Sequence, residues 1–248
     1  MKNEGTKHQQ MDGFSYSDIF ATKGIEYLII ITFLLLLTPF WLLLNKQAKI
    51  KSKIQKALGF LSASVLKIPQ GLYYSKNHTW MYMQKSGDAK VGLDDLLLHI
   101  TGEVTFSQLR KRDEVINKGD LLAEINQKGK LLRILSPVTG TIVDANTGLN
   151  EDPGLLSQDP YGKGWIYKIK PTDWISDIRS CYFAEEAITW SSMELDRFKD
   201  FLAVTMKHYS PDPSLVILQD GGELCDHSLS GLPREIWKDF ECEFLKLN

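Results

Sequence analysis

The residues best suited to chemistry are two lysines and an arginine near the middle of the chain. Lys128 and Lys130 flank Gly129, and Arg133 follows three residues after Lys130. A lysine supplies a primary amine, a point charge that binds anions. These residues stand between two apolar runs, which predicts a basic hairpin tip that contacts an acidic partner or an anionic head group. A solvated loop is the alternative.

The cysteines and histidines indicate neither a metal site nor a catalytic one. Cys225, Asp226 and His227 are consecutive, but no second ligand pair has the spacing that zinc needs. The other cysteines are Cys181 and Cys242, and an odd, widely spaced set indicates reduced thiols in a cytoplasmic compartment. The sequence shows no catalytic triad order and no phosphate loop. We therefore expect no enzyme and no metal.

Composition narrows the class of protein further. The chain has 248 residues, of which 43% are hydrophobic and 24% charged, and this excludes a wholly disordered protein. A net charge of -2 disfavours a protein that tracks nucleic-acid phosphates, so no nucleic-acid partner is expected. A mean hydropathy of -0.19 excludes a polytopic membrane protein but allows a single span.

One uncharged stretch predicts such a span. Residues 27–44 carry no charge, and at about 1.5 Å per residue they cross a hydrocarbon layer of roughly 30 Å. We assign a transmembrane helix to 27–45, kinked at Pro39, after a leader at 1–26. A signal peptide is disfavoured, because the polar leader is long and no small-residue cleavage site follows.

A run of lysines after the span predicts its orientation. No acidic residue intervenes before Asp88, so the bulk of the chain should lie on the cytoplasmic side of the cell (inner) membrane, with the leader outside. Residues 46–70 predict a basic amphipathic helix that contacts anionic lipid or a partner subunit, with a solvated spacer as the alternative. The lysines of this predicted membrane or partner contact are Lys46, Lys49, Lys51, Lys53 and Lys56.

Residues 71–174 have a different pattern. Short apolar or alternating runs are separated by glycine and proline turns, which is typical of closely spaced antiparallel strands. The predicted fold class is mainly β: a small antiparallel sandwich or barrel with short helices, one of them over 94–100.

This region resembles the H protein of the glycine cleavage system, a member of the lipoyl/biotinyl-domain superfamily. Tyr74, His78 and Trp80 resemble the family's opening Tyr-x-x-x-His-x-Trp strand. Other matching motifs follow in the family's order, at 91–95, 102–104, 113–120, 136–140, 150–153 and 159–165. The resemblance implies a lipoyl-type sandwich and a carrier protein that is not an enzyme. It also implies a structural, hydrogen-bonding role for His78.

The same resemblance implies where a lipoyl group would be attached. The family carries lipoate on a hairpin lysine seven residues before the serine of Ser-Pro-Val, and in this chain that position, counted from Ser136, is Gly129. A shift of one residue turns a side chain to the other face of a strand, so Lys128 and Lys130 are not automatic substitutes. We expect no bound cofactor, with lipoate on Lys128 or Lys130 as the alternative.

The C-terminal part, 175–248, predicts a small α/β extension. Residues 191–194 fit a helix capping box, 215–218 fit a short strand, and Pro233 precedes a helix that continues to Phe244. The sequence leaves open whether this extension covers an edge of the sandwich or binds a partner.

The predicted function is that of a non-catalytic, membrane-anchored subunit. The H protein-like domain would be a scaffold or docking component for protein subunits of a larger membrane complex, which by analogy would be redox or respiratory. The alternative is a membrane-tethered lipoyl carrier that shuttles electrons or acyl or aminomethyl groups. A lipid-surface sensor acting through the lysines at 46–56 is a third hypothesis.

Overall fold

The computed structural model describes residues 24–41, 60–209 and 224–247, in two units, 1–51 and 52–248. In the first unit, helix α1 spans Gly24–Trp41 and is long and apolar enough to cross a membrane. It begins before the predicted start at Tyr27. Most of the predicted leader, the end of the predicted span and the lysines at 46–56 lie outside the described residues.

The described part of the second unit is built from short strands and a smaller number of helices. The strands are β1 (Phe60–Leu61), β2 (Tyr73–Tyr74), β3 (Thr79–Met83), β4 (Ala89–Leu93), β5 (Thr105–Gln108), β6 (Val115–Ile116), β7 (Leu121–Gln127), β8 (Lys130–Leu135), β9 (Gly140–Ala145), β10 (Trp165–Pro171), β11 (Tyr182–Phe183) and β12 (Leu224–Cys225). The helices are α2 (Asp95–Thr101), α3 (Gly148–Glu151), α4 (Leu155–Gln158), α5 (Trp174–Ile178), α6 (Ala184–Tyr209) and α7 (Arg234–Asp239), and a π-helical segment, Phe240–Phe244, follows α7.

Antiparallel pairing joins these strands into a sandwich around one core. A seven-stranded sheet has the order β11-β2-β3-β4-β10-β9-β6, a three-stranded sheet has the order β5-β7-β8, and β1 pairs with β12. Leu93 of the larger sheet and Ile125 and Leu132 of the smaller one belong to the same buried cluster. The alternation of apolar and polar residues along each strand places these side chains on the inner faces. The predicted mainly-β, lipoyl-type fold is confirmed.

The predicted juxtamembrane helix is wrong in the part that the structure describes. Residues 60–61 form strand β1, and a turn follows at 62–64. Leu61 is buried in the sandwich core. Its position at helical spacing suggested a helix face, but pairing of β1 with β12 satisfies the backbone and buries the same side chain. The remainder of the predicted helix, 46–59, lies outside the described residues.

Helix α6 begins earlier than the sequence predicts. The predicted capping box at 191–194 lies in the interior of this 26-residue helix, so that prediction is wrong. The helix extends toward the N-terminus because Ala187 and Trp190 already pack into a buried cluster with Tyr74 and Trp80. Ser191 is buried, and Glu194 forms an ion pair with Arg197 instead of capping a helix.

The described part of the C-terminal extension completes the core. We name residues 224–247 the C-terminal segment. The rings of Phe240 and Phe244 stack at 4.9 Å, and Phe198 of α6 meets Phe244 edge-on at 5.5 Å. Trp237 is fully buried, and its indole N–H donates to the carbonyl of Leu229 at 2.8 Å. The segment therefore covers the sandwich. The predicted strand at 215–218 lies outside the described residues.

A charged contact also joins the C-terminal segment to α2. Nδ1 of His99 lies 2.8 Å from Oδ1 of Asp226, and its Nε2 lies 3.4 Å from Asp95. Burial opposes the charged form of His99. The hydrogen bonds to Asp226 and Asp95 outweigh burial and raise the pKa of His99 to about 9. The contact therefore holds an imidazolium between two carboxylates at neutral pH.

We predict that the packing of α6 can be separated from its helix propensity. Leu202 is 3% exposed and Val204 is 71% exposed on the same helix. Leu202→Ala should lower the free energy of unfolding by about 2–5 kcal/mol, because it removes buried methyl groups. Val204→Ala, the matched control, should change it by less than about 0.5 kcal/mol. Urea unfolding of the two variants measures this, and equal effects would contradict the packing.

We also predict that stability depends on pH through His99. The raised pKa means that the folded state holds the proton more tightly than the unfolded state does. The stabilisation is therefore complete below about pH 6.5, and it is lost as the pH rises through about 9. Between these values the free energy of unfolding should fall by about 1–3 kcal/mol. Urea titrations should show a smaller fall for Asp226→Asn. An unchanged fall in that variant would assign the effect to other groups.

Candidate functional site

The hairpin between β7 and β8 has a two-residue turn. Gln127 pairs with Lys130 across the hairpin, and Lys128 and Gly129 connect them with φ of 51° and 85°. Two positive φ values are the signature of a type I′ turn, whose twist matches that of the strands and which favours glycine at its second position. The backbone N–H of Gly129 donates to Oδ1 of Asn126 at 2.8 Å. The position implied for the carrier lysine is therefore the second residue of a tight turn.

The structure separates the two predicted attachment lysines. Lys128 is exposed at the first turn position. Lys130 is half-buried, and its ammonium donates to the carbonyls of Ser230 at 2.7 Å and Leu232 at 3.1 Å. The same ammonium lies 4.9 Å from the centre of the Trp237 ring. Burial, with a smaller contribution from the charge of Lys128, lowers the pKa of Lys130. Lys130 is thus anchored to the C-terminal segment.

The turn backbone and the next arginine are anchored to the same segment. Nη2 of Arg234 donates to the carbonyl of Gly129 at 2.8 Å. Arg133 of β8 pairs with Glu241 at 2.6 Å, so its charge is compensated within the chain. The predicted basic tip of Lys128, Lys130 and Arg133 is consequently changed. Arg234 joins it, and Arg133 is neutralised.

An open cavity of about 710 Å³ lies beside the turn. The hairpin contributes Gln127 and Lys128 to its wall, α4 contributes Ser157, and the C-terminal segment contributes His227. Gln127 is 4% exposed, and its Oε1 has no hydrogen-bond partner among the described residues. The exposed lysine of the turn therefore lies at the wall of a cavity that also contains a buried hydrogen-bond acceptor.

Comparison with known proteins identifies the fold around this hairpin. A family model described as "Glycine cleavage H-protein" matches residues 72–189. A "Probable glycine cleavage system H protein" of Thermococcus gammatolerans is 33% identical over 119 residues, covering 48% of this chain and 88% of the relative. The chain belongs to the glycine cleavage H-protein family.

Other members of the glycine cleavage H-protein family match the same part of the chain. The "Glycine cleavage system H protein" of Thermus thermophilus is 35% identical over 106 residues, covering 43% of this chain and 82% of the relative. A crystal structure of the H protein from Mycobacterium marinum has 26% identity and a TM-score of 0.44, and it covers 50% of this chain and 98% of that one. The family-like domain and the residues outside it thus share the chain about equally.

The family histidine makes a structural contact. His78 is fully buried, and its Nδ1 lies 2.8 Å from Oδ2 of Asp94. The other carboxylate oxygen of Asp94 accepts the backbone N–H of Leu97 at 2.8 Å and so caps α2. The ring of His78 also stacks on Phe244 of the C-terminal segment at 5.8 Å. His78 therefore links the opening strand, α2 and the C-terminal segment.

The Cys225-Asp226-His227 run does not form a metal site. Asp226 is engaged by His99, and no cluster of three or more ligating side chains suited to a metal occurs among the described residues. Sequence reasoning missed Arg234, Ser230 and Leu232, which anchor the hairpin from about a hundred residues away. The only sequence signal near them is Pro233, which predicts the start of α7 without showing what the helix contacts.

We predict that the turn residues respond to substitution with opposite signs. Lys128→Asn should stabilise the protein by about 0.5–1 kcal/mol, because asparagine tolerates positive φ better than lysine does. Gly129→Ala should destabilise it by about 1–2 kcal/mol through backbone strain. Steric contact does not confuse the result, because an added Cβ would meet only Arg234 Nη2, at 3.8 Å. Urea unfolding measures both changes, and a neutral Gly129→Ala would contradict the turn geometry.

Proposed function

We propose that this H protein-like chain is a non-catalytic, membrane-anchored docking or scaffold subunit, and that it does not carry lipoate. The hairpin that presents the carrier lysine in the family is held here by the C-terminal segment. Arg234 holds the carbonyl of Gly129, and the carbonyls of Ser230 and Leu232 hold the ammonium of Lys130. This anchoring is the observation that carries the proposal.

A swinging arm needs an apex that a ligase and partner enzymes can approach. The implied carrier position here is a glycine without an amine, and the neighbouring Lys130 would have to break two hydrogen bonds before it could react. Leaving buried polar partners unsatisfied costs about 1–3 kcal/mol each. The hairpin is therefore suited to be a rigid part of an interaction surface. A role without bound cofactor follows.

Membrane attachment is the second part of the proposal. Helix α1 supports it by length and composition. The lysines at 46–56 support an orientation with the H protein-like domain on the cytoplasmic face of the inner membrane. A tether of this kind is expected of a subunit that stays with a membrane complex, and the fold's link to electron-carrying lipoamide favours a redox or respiratory complex by analogy.

A second candidate function is a membrane-tethered lipoyl carrier, and one observation specifies its site. Lys128 is exposed and lies at the wall of the 710 Å³ cavity, whereas Lys130 is engaged. An attached group would therefore be expected on Lys128. Such a carrier would shuttle electrons or acyl or aminomethyl groups between enzymes.

One experiment on native material tests both candidates. We expect the chain, isolated from its own membranes in mild detergent, to co-purify with a reproducible set of subunits and to show the unmodified mass of its sequence. A chain that is recovered from the soluble fraction, or that runs alone, would refute the scaffold proposal. A lipoyl adduct on Lys128 would establish the carrier instead, and the Lys128→Arg variant provides the matched control for the adduct.

A further inference from the structure

A groove lies between the hairpin and α7. We name it the hairpin–α7 groove, and it has a volume of about 340 Å³, near the lower end of the range for ligand pockets, about 300–1,000 Å³. A space of this size accommodates one or two side chains of a binding partner. Its lining residues are Gly129, Lys130, Leu131, Arg234, Trp237, Lys238 and Glu241.

The cations of this groove are positioned without being neutralised. The ammonium of Lys130 is held by two carbonyl oxygens, and the guanidinium of Arg234 is held by one. Elsewhere in the second unit, arginines are held by carboxylates: Arg133 pairs with Glu241 and Arg197 with Glu194. No carboxylate lies within ion-pair distance of Lys130, Arg234 or Lys238 among the described residues. The groove therefore presents fixed N–H donors with uncompensated positive charge.

Apolar surface accompanies the charge. Leu131 is 53% exposed at the edge of the groove, although it lies on a strand of the sandwich. The ring of Trp237 forms part of the lining and lies under the ammonium of Lys130 at 4.9 Å. An anion with an apolar neighbour would match both features, whereas a free inorganic anion would match only the charge.

The arrangement of acidic residues favours a peptide over a membrane surface. Glu241 lines the same groove, and Glu235 and Glu243 are exposed on α7 and the π-helical segment. A flat layer of anionic lipid would be repelled by these carboxylates while it approached the cations. A peptide can place one acidic side chain locally and avoid them.

We propose that the hairpin–α7 groove binds an acidic peptide segment of a partner protein. A carboxylate would accept hydrogen bonds from Arg234 and Lys130 near Lys238, and an adjacent apolar side chain would pack on Leu131 and Trp237. This inference deepens the proposed docking function and rests on it, since it gives the chemistry of the surface that the partner must offer. Charge-assisted hydrogen bonds of this kind are the stronger ones.

The test uses the full chain in a neutral detergent and a fluorescein-labelled peptide, Leu-Glu-Glu-Leu-Glu-Glu, followed by fluorescence anisotropy. We expect saturable binding that weakens as salt is raised and that is absent for the glutamine analogue of the peptide. The double variant Arg234→Gln/Lys238→Gln should bind about tenfold more weakly. The matched control is Lys111→Gln/Arg112→Gln, which removes the same two kinds of charge from an exposed loop and should bind normally.

Two further measurements keep the proposal falsifiable. Lys238→Gln alone leaves the Arg234–Gly129 bond in place, so a loss of about threefold in this variant cannot be attributed to a disturbed hairpin. Equal binding by the groove variant and the loop control would overturn the proposal. Binding to anionic vesicles through Arg234 and Lys238 with no peptide binding would also overturn it, in favour of a lipid site.

Failure of the groove and failure of the docking function can be told apart. If native subunits co-purify equally with the wild type and the double variant and the peptide does not bind, the groove proposal fails and the docking function stands. If the peptide binds as expected but no subunit co-purifies from native membranes, the groove stands as a peptide site and the membrane scaffold fails.

Discussion

The attachment of the C-terminal segment to the β7–β8 hairpin is the constraint on which the rest of this structure depends. It joins residues about a hundred positions apart through carbonyl oxygens that hold Lys130 and through Arg234, which holds the turn. The aromatic cluster around Phe240 and Phe244 makes the attachment durable, because its rings are buried in the same core as the sandwich strands. The hairpin and the core are consequently one packed body.

This constraint bears directly on the relation between fold and function. In the glycine cleavage H-protein family the sandwich serves to present a hairpin, and in this chain the hairpin is itself covered. The covering segment brings its own charges, so one surface contains Lys130, Arg234 and Lys238 without matching carboxylates. A carrier surface and a docking surface can therefore share one scaffold, with the difference made by a short stretch of added chain.

Much of the fold could be predicted from local patterns. Strands β3 and β4 have the bounds that alternation and glycine turns predict, and α2 follows Asp94, which caps it. The errors arose where a local signal competed with packing. Residues 191–194 look like a helix start but lie inside α6, because burial of Ala187 and Trp190 extends the helix. Leu61 has helical spacing but lies in a strand, because β12 supplies a partner.

By itself, the sequence determined the sandwich, the apolar helix near the N-terminus and the glycine at the family's carrier position, since each depends on residue types at short spacing. Only the tertiary structure decided that Lys130 is engaged while Lys128 is exposed, that Arg133 is neutralised, and that Arg234 replaces it at the tip. The physical reason is that these contacts join segments far apart in the chain. No local periodicity encodes which carbonyl or carboxylate a distant helix will bring to a cation.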